Sequence, residues 1–275
     1  MTFNDYPEYT PEQMEQHIKN IKAEGFRTLD RKAALSLVLS CIDLTTLEGA
    51  DTHEKVIMMC KKAMMFSPNT AAVCVYPPFV ATAKETLKGS GVHVAAVAGA
   101  FPSGQSPIHV KVAEVEWTAK QGADEIDMVI SRGTFLEGRY DVVSEEIAAI
   151  KKVCGDAHLK VILETGELQT SANIRKASEL AILAGGNFIK TSTGKIPVAA
   201  TEFAAVVMLE TIKEYYEKTG IMIGFKPAGG ISEPDVALGF LLLVDRILGE
   251  KWLNNTWLRF GASRLADKLV AELNS

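Results

Sequence analysis

Cysteine is scarce: the 275 residues hold four, Cys41, Cys60, Cys74 and Cys154. Their spacing is neither paired nor zinc-like, so a disulfide framework is excluded and reduced thiols of a cytoplasmic protein are expected. The five histidines are scattered, with no HExxH and no cluster, so no built-in metal site is expected. No apolar run is long enough to span a bilayer, the longest lying near Gly239-Phe-Leu-Leu-Leu-Val244. The opening residues, Met1-Thr-Phe-Asn-Asp-Tyr-Pro-Glu8, are polar and acidic, unlike a signal or transit peptide. A formal net charge of −5 gives no global attraction to nucleic acid or anionic membranes, although local lysines can still hold a phosphate. No low-complexity linker or internal repeat divides the chain.

What remains is a chain with 47% apolar and 23% charged residues, enough for a large core. Its length exceeds an average domain but suits an α/β barrel built as one unit. Residues 1–35 read as an N-terminal helical extension, with Thr10 as a cap and Pro11 at the first helical position. Residues 36–275 read as alternating strands and helices. Strands are expected at Leu37–Asp43, Ala71–Tyr76, Val92–Ala98, Glu125–Ile130, Leu159–Glu164, Phe188–Thr191, Ile221–Lys226 and Leu258–Gly261. Amphipathic stretches separate them, among them Ile108–Gln121, Asp141–Val153, Ser171–Ala184, Thr201–Lys218 and Pro234–Leu248. This alternation predicts a parallel (β/α)8 barrel.

Strand periodicity places charge on an unusual face. Successive side chains point to opposite sides of a strand. With Ile126 and Met128 packed under helices, Glu125 and Asp127 face the barrel interior; by the same reasoning Lys160 and Lys226 face it too, and Lys190 can join them. An interior carrying both signs differs from the branched aliphatic filling of an ordinary barrel.

Two lysines stand out. Lys190 lies in the apolar strand of Asn187-Phe-Ile-Lys-Thr-Ser-Thr-Gly-Lys195, and Lys226 ends Ile221-Met-Ile-Gly-Phe-Lys226 just before Pro227-Ala-Gly-Gly230. Lysine is almost never fully buried unless paired, so each needs a reason. A desolvated lysine beside another cation loses its proton near neutrality and becomes a nucleophile toward carbonyls. Taken alone, each feature has a plainer reading. A strand-end lysine can snorkel to the surface, Asp127 can be a structural partner of Lys160 or Lys226, and Gly229-Gly230 can be only a turn. Asp43 and Thr45 can merely satisfy backbone groups, and Cys74 suits an inert core thiol.

Taken together, Phe188-Ile-Lys-Thr-Ser-Thr-Gly-Lys195, Gly224-Phe-Lys-Pro-Ala-Gly-Gly230, Asp124-Glu-Ile-Asp127 and Arg259-Phe-Gly-Ala-Ser263 resemble the signature stretches of the 2-deoxyribose-5-phosphate aldolases. Asp43-Leu-Thr-Thr-Leu47, Ala72-Val-Cys-Val-Tyr-Pro77 and Leu163-Glu-Thr-Gly-Glu-Leu168 are similar to that family as well, so the resemblance runs in order from Asp43 to Ser263. It implies a class I aldolase on a TIM barrel, using neither metal nor organic cofactor. The expected reaction interconverts 2-deoxy-D-ribose 5-phosphate with D-glyceraldehyde 3-phosphate and acetaldehyde. The matched motifs put the Schiff-base lysine at Lys190, the neighbouring cation at Lys226 and the acid/base carboxylate at Asp127. Substrate and phosphate contacts are expected from Lys195, Gly229, Gly230, Gly261 and Ser263, with Asp43 and Thr45 near the substrate. The expected partners are a phosphosugar and small aldehydes, not nucleic acid or membrane. The N-terminal extension is a candidate to cover the barrel bottom or to form a homodimer contact.

Two departures from the family pattern bear on these expectations. Many relatives carry two serines where this chain has Ser263-Arg264. Many bacterial members end in a tail whose terminal tyrosine assists proton transfer, whereas this sequence ends Ala271-Glu-Leu-Asn-Ser275. The second bears on the rate of proton transfer and leaves chemistry at Lys190 intact. Two other functions fit the same pattern less fully: a Schiff-base lyase with a different carbonyl substrate, and a phosphosugar-binding protein without turnover.

Overall fold

The structure, a computed structural model, describes residues 1–275. Eight parallel strands alternate with helices: β1 (Ile42–Thr45), β2 (Ala72–Val75), β3 (His93–Ala98), β4 (Glu125–Val129), β5 (His158–Ile162), β6 (Phe188–Lys190), β7 (Gly224–Lys226) and β8 (Phe260–Ala262). Each pairs with its sequence neighbour, and β1 pairs with β8. Bridges from Phe225 to Leu258 and from Ala228 to Gly261 join the remaining edge, so the sheet is a nearly closed barrel. The chain folds as the expected (β/α)8 TIM barrel.

Helices α1 (Pro11–Ala23) and α2 (Arg31–Ser40) precede the first strand. Then come α3 (His53–Met65), α4 (Val80–Thr86), α5 (Ile108–Lys120), α6 (Arg132–Leu136), α7 (Tyr140–Val153), α8 (Thr165–Leu168), α9 (Ser171–Leu183), α10 (Glu202–Thr219), α11 (Pro234–Ile247) and α12 (Leu265–Leu273). Local chemistry sets the starts. Thr10 and Gln13 form a reciprocal capping box ahead of α1, and Thr201 accepts from the Ala204 amide to cap α10. Met14 and Ile18, four apart, are the buried face of α1, which packs on α10 and α11. Tyr6 and His17 both bond Glu210 of α10, and Arg27 bonds Asp245 of α11.

The first expected strand is a correction. Leu37–Ser40 belongs to α2, and β1 begins only at Ile42. Asp30 accepts from the Ala33 amide at 2.7 Å and starts a helix whose Ala34, Leu35, Val38 and Leu39 are buried. That spacing is helical, but a short apolar run does not by itself separate helix from strand. Position 35 therefore lies in the middle of α2. The seventh strand is shorter than expected, because Ile221 is exposed and only Gly224–Lys226 pairs.

Alternation divides the apolar residues into two groups. Ile42, Val73, Val94, Ile126, Met128, Leu159, Val161, Ile189, Phe225 and Phe260 face outward and join the main core beneath the helices. Each fully buried side chain of this kind stabilises the fold by about 1.5–3 kcal/mol before entropy is counted. The opposite faces line the barrel. Leu47, Cys74, Ala95 and Val97 form a small separate cluster there, packed by Tyr76 and Phe101. Burial pushes the Cys74 thiol up to about 11, in keeping with an unreactive core position. The rest of the interior is largely ionic, with the Phe188 ring packed beside Gly224 and Lys160.

Candidate active site

Three carboxylates and four cations occupy the middle of the barrel. Asp43, Glu125, Asp127, Lys160, Lys190, Lys226 and Arg259 are all buried. They come from β1, β4, β5, β6, β7 and the residue just before β8. Isolated, any of these charges would be very costly to bury, so the pairing must be dense. Arg259 donates to Asp43 at 2.8 Å and, through both terminal nitrogens, to Glu125 at 3.0 and 2.6 Å. Lys160 bonds Glu125, and Asp127 Oδ1 at 3.1 Å. Lys226 bonds Asp43, and Asp127 Oδ2 at 2.7 Å. Lys190 donates to that same Oδ2, also at 2.7 Å.

Strand register explains the lysine pair. Lys190 and Lys226 are direct partners across β6 and β7, so their side chains project inward side by side. Two ammonium groups there repel, and the environment decides which one stays charged. Burial and then the neighbouring Lys226 lower the Lys190 pKa, and Asp127 only partly offsets them. Burial also acts against the charge on Lys226, but Asp127 and Asp43 outweigh it and raise that pKa. Lys160 likewise stays charged, since Asp127, Glu125 and Asp43 outweigh its burial. Asp127 is held well below the usual carboxylate range, because Lys160, Lys190 and Lys226 together overcome its desolvation. Loss of the Lys190 proton would leave three cations facing three carboxylates, a balanced buried charge.

Above Lys190 the barrel opens into a cavity of about 310 Å³. Lys190 is on its floor. Thr45 and Leu47 follow β1, Thr193, Gly194 and Lys195 follow β6, Gly229 and Gly230 follow β7, and Gly261, Ser263 and Arg264 come from β8 and its turn. Seven of the ten residues singled out from sequence line this cavity. Asp127 and Lys226 lie beneath the floor, bonded to Lys190 directly or through one atom. Asp43 also lies beneath it, bonded to Lys226 and Arg259 rather than bordering the cavity. Thr45 Oγ1 donates to the Asp43 carbonyl at 2.8 Å.

The far wall suits an anion. Gly229 and Gly230 have φ of 85° and 77°, a conformation that L side chains rarely adopt. A side chain at Gly229 would also strike Ala199 at 2.6 Å, whereas none would be obstructed at Gly230. The first turn of α12 follows Arg264 and has no side-chain cap, leaving backbone amides as donors. Lys195 supplies a cation at the rim, 3.1 Å from Glu48.

The profile of the DeoC/LacD family aldolases matches residues 37–238. The chain belongs to that family. Among curated relatives of this aldolase, a Caenorhabditis elegans protein provisionally named deoxyribose-phosphate aldolase is 45% identical over 273 residues, covering 97% of this chain and 90% of that protein. The deoxyribose-phosphate aldolase of Homo sapiens is 43% identical over 257 residues, covering 88% of this chain and 81% of its own. The tetrameric deoxyribose phosphate aldolase of Aeropyrum pernix superposes with a TM-score of 0.70 at 22% identity, covering 97% of this aldolase and 99% of that chain, which speaks to the fold alone.

Two residues in and around the candidate site carry weaker signals in the sequence. Arg259 was visible only as the start of a matched stretch, and its twofold grip on Glu125 depends on β8 meeting β4 across the barrel. Glu164 was expected to end β5, yet it turns into the left-handed region with φ of 58°. Its buried carboxylate reaches Thr193 of the β6 turn. No periodicity reports such a turn.

Proposed function

We propose that this aldolase reversibly cleaves 2-deoxy-D-ribose 5-phosphate to D-glyceraldehyde 3-phosphate and acetaldehyde through an imine at Lys190. The observation that carries the reading is the unequal lysine pair. One amine on the cavity floor is pushed toward neutrality, and its in-register neighbour is held charged against the same carboxylate oxygen. A class I aldolase needs such an amine, free to attack without first losing a proton.

The residues then take these roles. The neutral Lys190 nitrogen adds to the C1 aldehyde of the open-chain sugar, and the carbonyl oxygen takes a proton to give a carbinolamine. Loss of water leaves an iminium. The C3 hydroxyl gives up its proton as the C2–C3 bond breaks, and that electron pair moves into the iminium to form an enamine. Protonation at C2 and addition of water release acetaldehyde and regenerate the amine. Asp127 carries protons through these steps, directly or through a water, from its place beside Lys190. Lys226 keeps Lys190 depressed and keeps Asp127 ionised between turnovers. The C5 phosphate sits against Gly229, Gly230, Ser263 and the start of α12, with Lys195 at the rim. Thr45, at the end of β1, stands beside Ser263, because β1 pairs with β8.

The deciding assay mixes the protein with deoxyribose 5-phosphate and follows glyceraldehyde 3-phosphate with and without chelator. Turnover that persists with chelator is expected. Turnover abolished by chelator would overturn the lysine mechanism, and saturable binding without turnover would leave a phosphosugar-binding protein.

A further inference from the structure

The turn after β5 grips the turn after β6 at two places. Glu164 is fully buried, and its carboxylate accepts from the Thr193 amide at 3.1 Å and from the Thr193 hydroxyl. The same hydroxyl accepts from the Lys195 amide at 3.1 Å, so the contact passes directly into the turn that carries Lys195. Two residues on, Gly166 packs on the backbone of Val198. A Cβ there would overlap the Val198 carbonyl oxygen and come within 3.0 Å of its carbonyl carbon. The two grips hold residues 193–198 at both ends.

The gripping turn is itself unusual. Glu164 and Gln169 both have positive φ, 58° and 61°, although neither is glycine. Such conformations persist only where surrounding contacts over-determine them. Arg132, from α6, braces the turn: it donates to Glu164 at 2.9 Å and to the Ser103 carbonyl at 3.2 Å, and its Nε forms an ion pair with Glu167 at 2.9 Å. The turns after β3, β4, β5 and β6 are thereby tied together. Glu164 touches none of the cavity and none of the ionic cluster around Lys190. It meets the cavity only through Thr193.

We infer that Glu164 is a positioning residue that fixes the Thr193–Lys195 turn against the phosphate end of the substrate, with Gly166 seating the far end of that turn on the same bracket. This rests on the phosphosugar reading given above. β6 and its turn then divide two functions. The strand presents the nucleophile, and the turn that follows it presents the anion grip, held from the neighbouring turn.

The test compares wild type, Glu164→Gln and Gly166→Ala on deoxyribose 5-phosphate and on unphosphorylated deoxyribose, with Tm and borohydride trapping by acetaldehyde measured alongside. Each variant is expected to raise KM for the phosphorylated sugar about tenfold while kcat stays within about twofold. Activity on deoxyribose and the trapped yield at Lys190 should stay at wild-type levels. Gly166→Ala keeps every ionic contact, so it reads the bracket even where Glu164→Gln lowers Tm too far for kinetics. Equal losses on both sugars, a fall in trapping, or an unchanged KM would overturn the inference. A wild type that shows no preference for the phosphorylated sugar would instead overturn the substrate reading beneath it.

Discussion

Lys190 and Lys226 share one acceptor: Asp127 Oδ2 lies 2.7 Å from each Nζ. A single oxygen cannot neutralise two ammonium groups. The second carboxylate, Asp43, binds Lys226 and not Lys190, and so breaks the symmetry in favour of charge on Lys226. On the proposed mechanism the pair is a nucleophile and its tuner, and the tuning follows from which carboxylate each lysine can reach.

Replacing the tuner should therefore move a pH profile. Lys190 attacks only when deprotonated, so kcat/KM rises with pH through its pKa. In Lys226→Met the like charge is gone and Asp127 Oδ2 serves Lys190 alone, so that pKa rises and the acid limb shifts to higher pH. Activity should fall at least about tenfold near neutrality and recover partly in alkali. Stability should also drop, by about 3–5 kcal/mol, because two carboxylates lose a buried partner. An unmoved acid limb in a folded variant would remove Lys226 from the tuning role.

Asp127→Asn should separate imine formation from proton transfer. The amide keeps an oxygen for one lysine but carries no mobile proton. Cleavage should fall about 10²–10⁴-fold while acetaldehyde still forms a trappable imine. Wild-type turnover in this variant would exclude Asp127 as the acid/base.

At the phosphate end the backbone should matter more than Arg264. Its guanidinium is exposed, so Arg264→Ser should cost little, and less still at high salt. Valine at Gly230 meets no obstructing atom, but φ of 77° is strained for a β-branched residue, so the turn must shift. Gly230→Val should lower kcat/KM on deoxyribose 5-phosphate at least about tenfold and largely spare deoxyribose. Abolished phosphate preference in Arg264→Ser would make that side chain the main anion ligand, and equal damage to both sugars in Gly230→Val would place the anion elsewhere.

The ionic interior should also set acid stability. Asp127, Glu125 and Asp43 each hold their pKa below the ordinary carboxylate value, burial being outweighed by Lys160, Lys226, Arg259 and, at Asp127, Lys190. Carboxylates depressed in the folded state stabilise it above about pH 4, and that contribution is lost as the pH falls. Tm should hold between about pH 7 and 5 and then fall steeply. Glu125→Gln should begin lower at neutral pH and lose less on acidification. An acid slope as steep as wild type would show that Glu125 is not part of this linkage.

Much of this was legible in the chain because strands and helices announce themselves by period. Alternation in Glu125–Ile130 and Leu159–Glu164 put Asp127 and Lys160 on the inward face, and one lysine in each of two apolar strands marked the pair. What the pattern could not carry was local or cross-barrel. Leu37–Ser40 is apolar enough for either element, and the Asp30 cap makes it helix. Asp43 is expected near the substrate only from the family resemblance. Only the register of β1 against β8, which pairs Asp43 with Gly261, brings it beneath the cavity beside Arg259. The left-handed turn at Glu164 depends on Arg132 and Thr193, residues 32 and 29 positions away.

The central claim is that Lys190 is the amine that forms the imine. Borohydride added with acetaldehyde, followed by peptide mapping, tests it directly. Mass should be fixed on the peptide containing Lys190, at a yield that rises with pH, and Lys190→Arg should abolish both the label and cleavage of deoxyribose 5-phosphate. Label on the Lys226 or Lys160 peptide, or cleavage by the arginine variant, would contradict it.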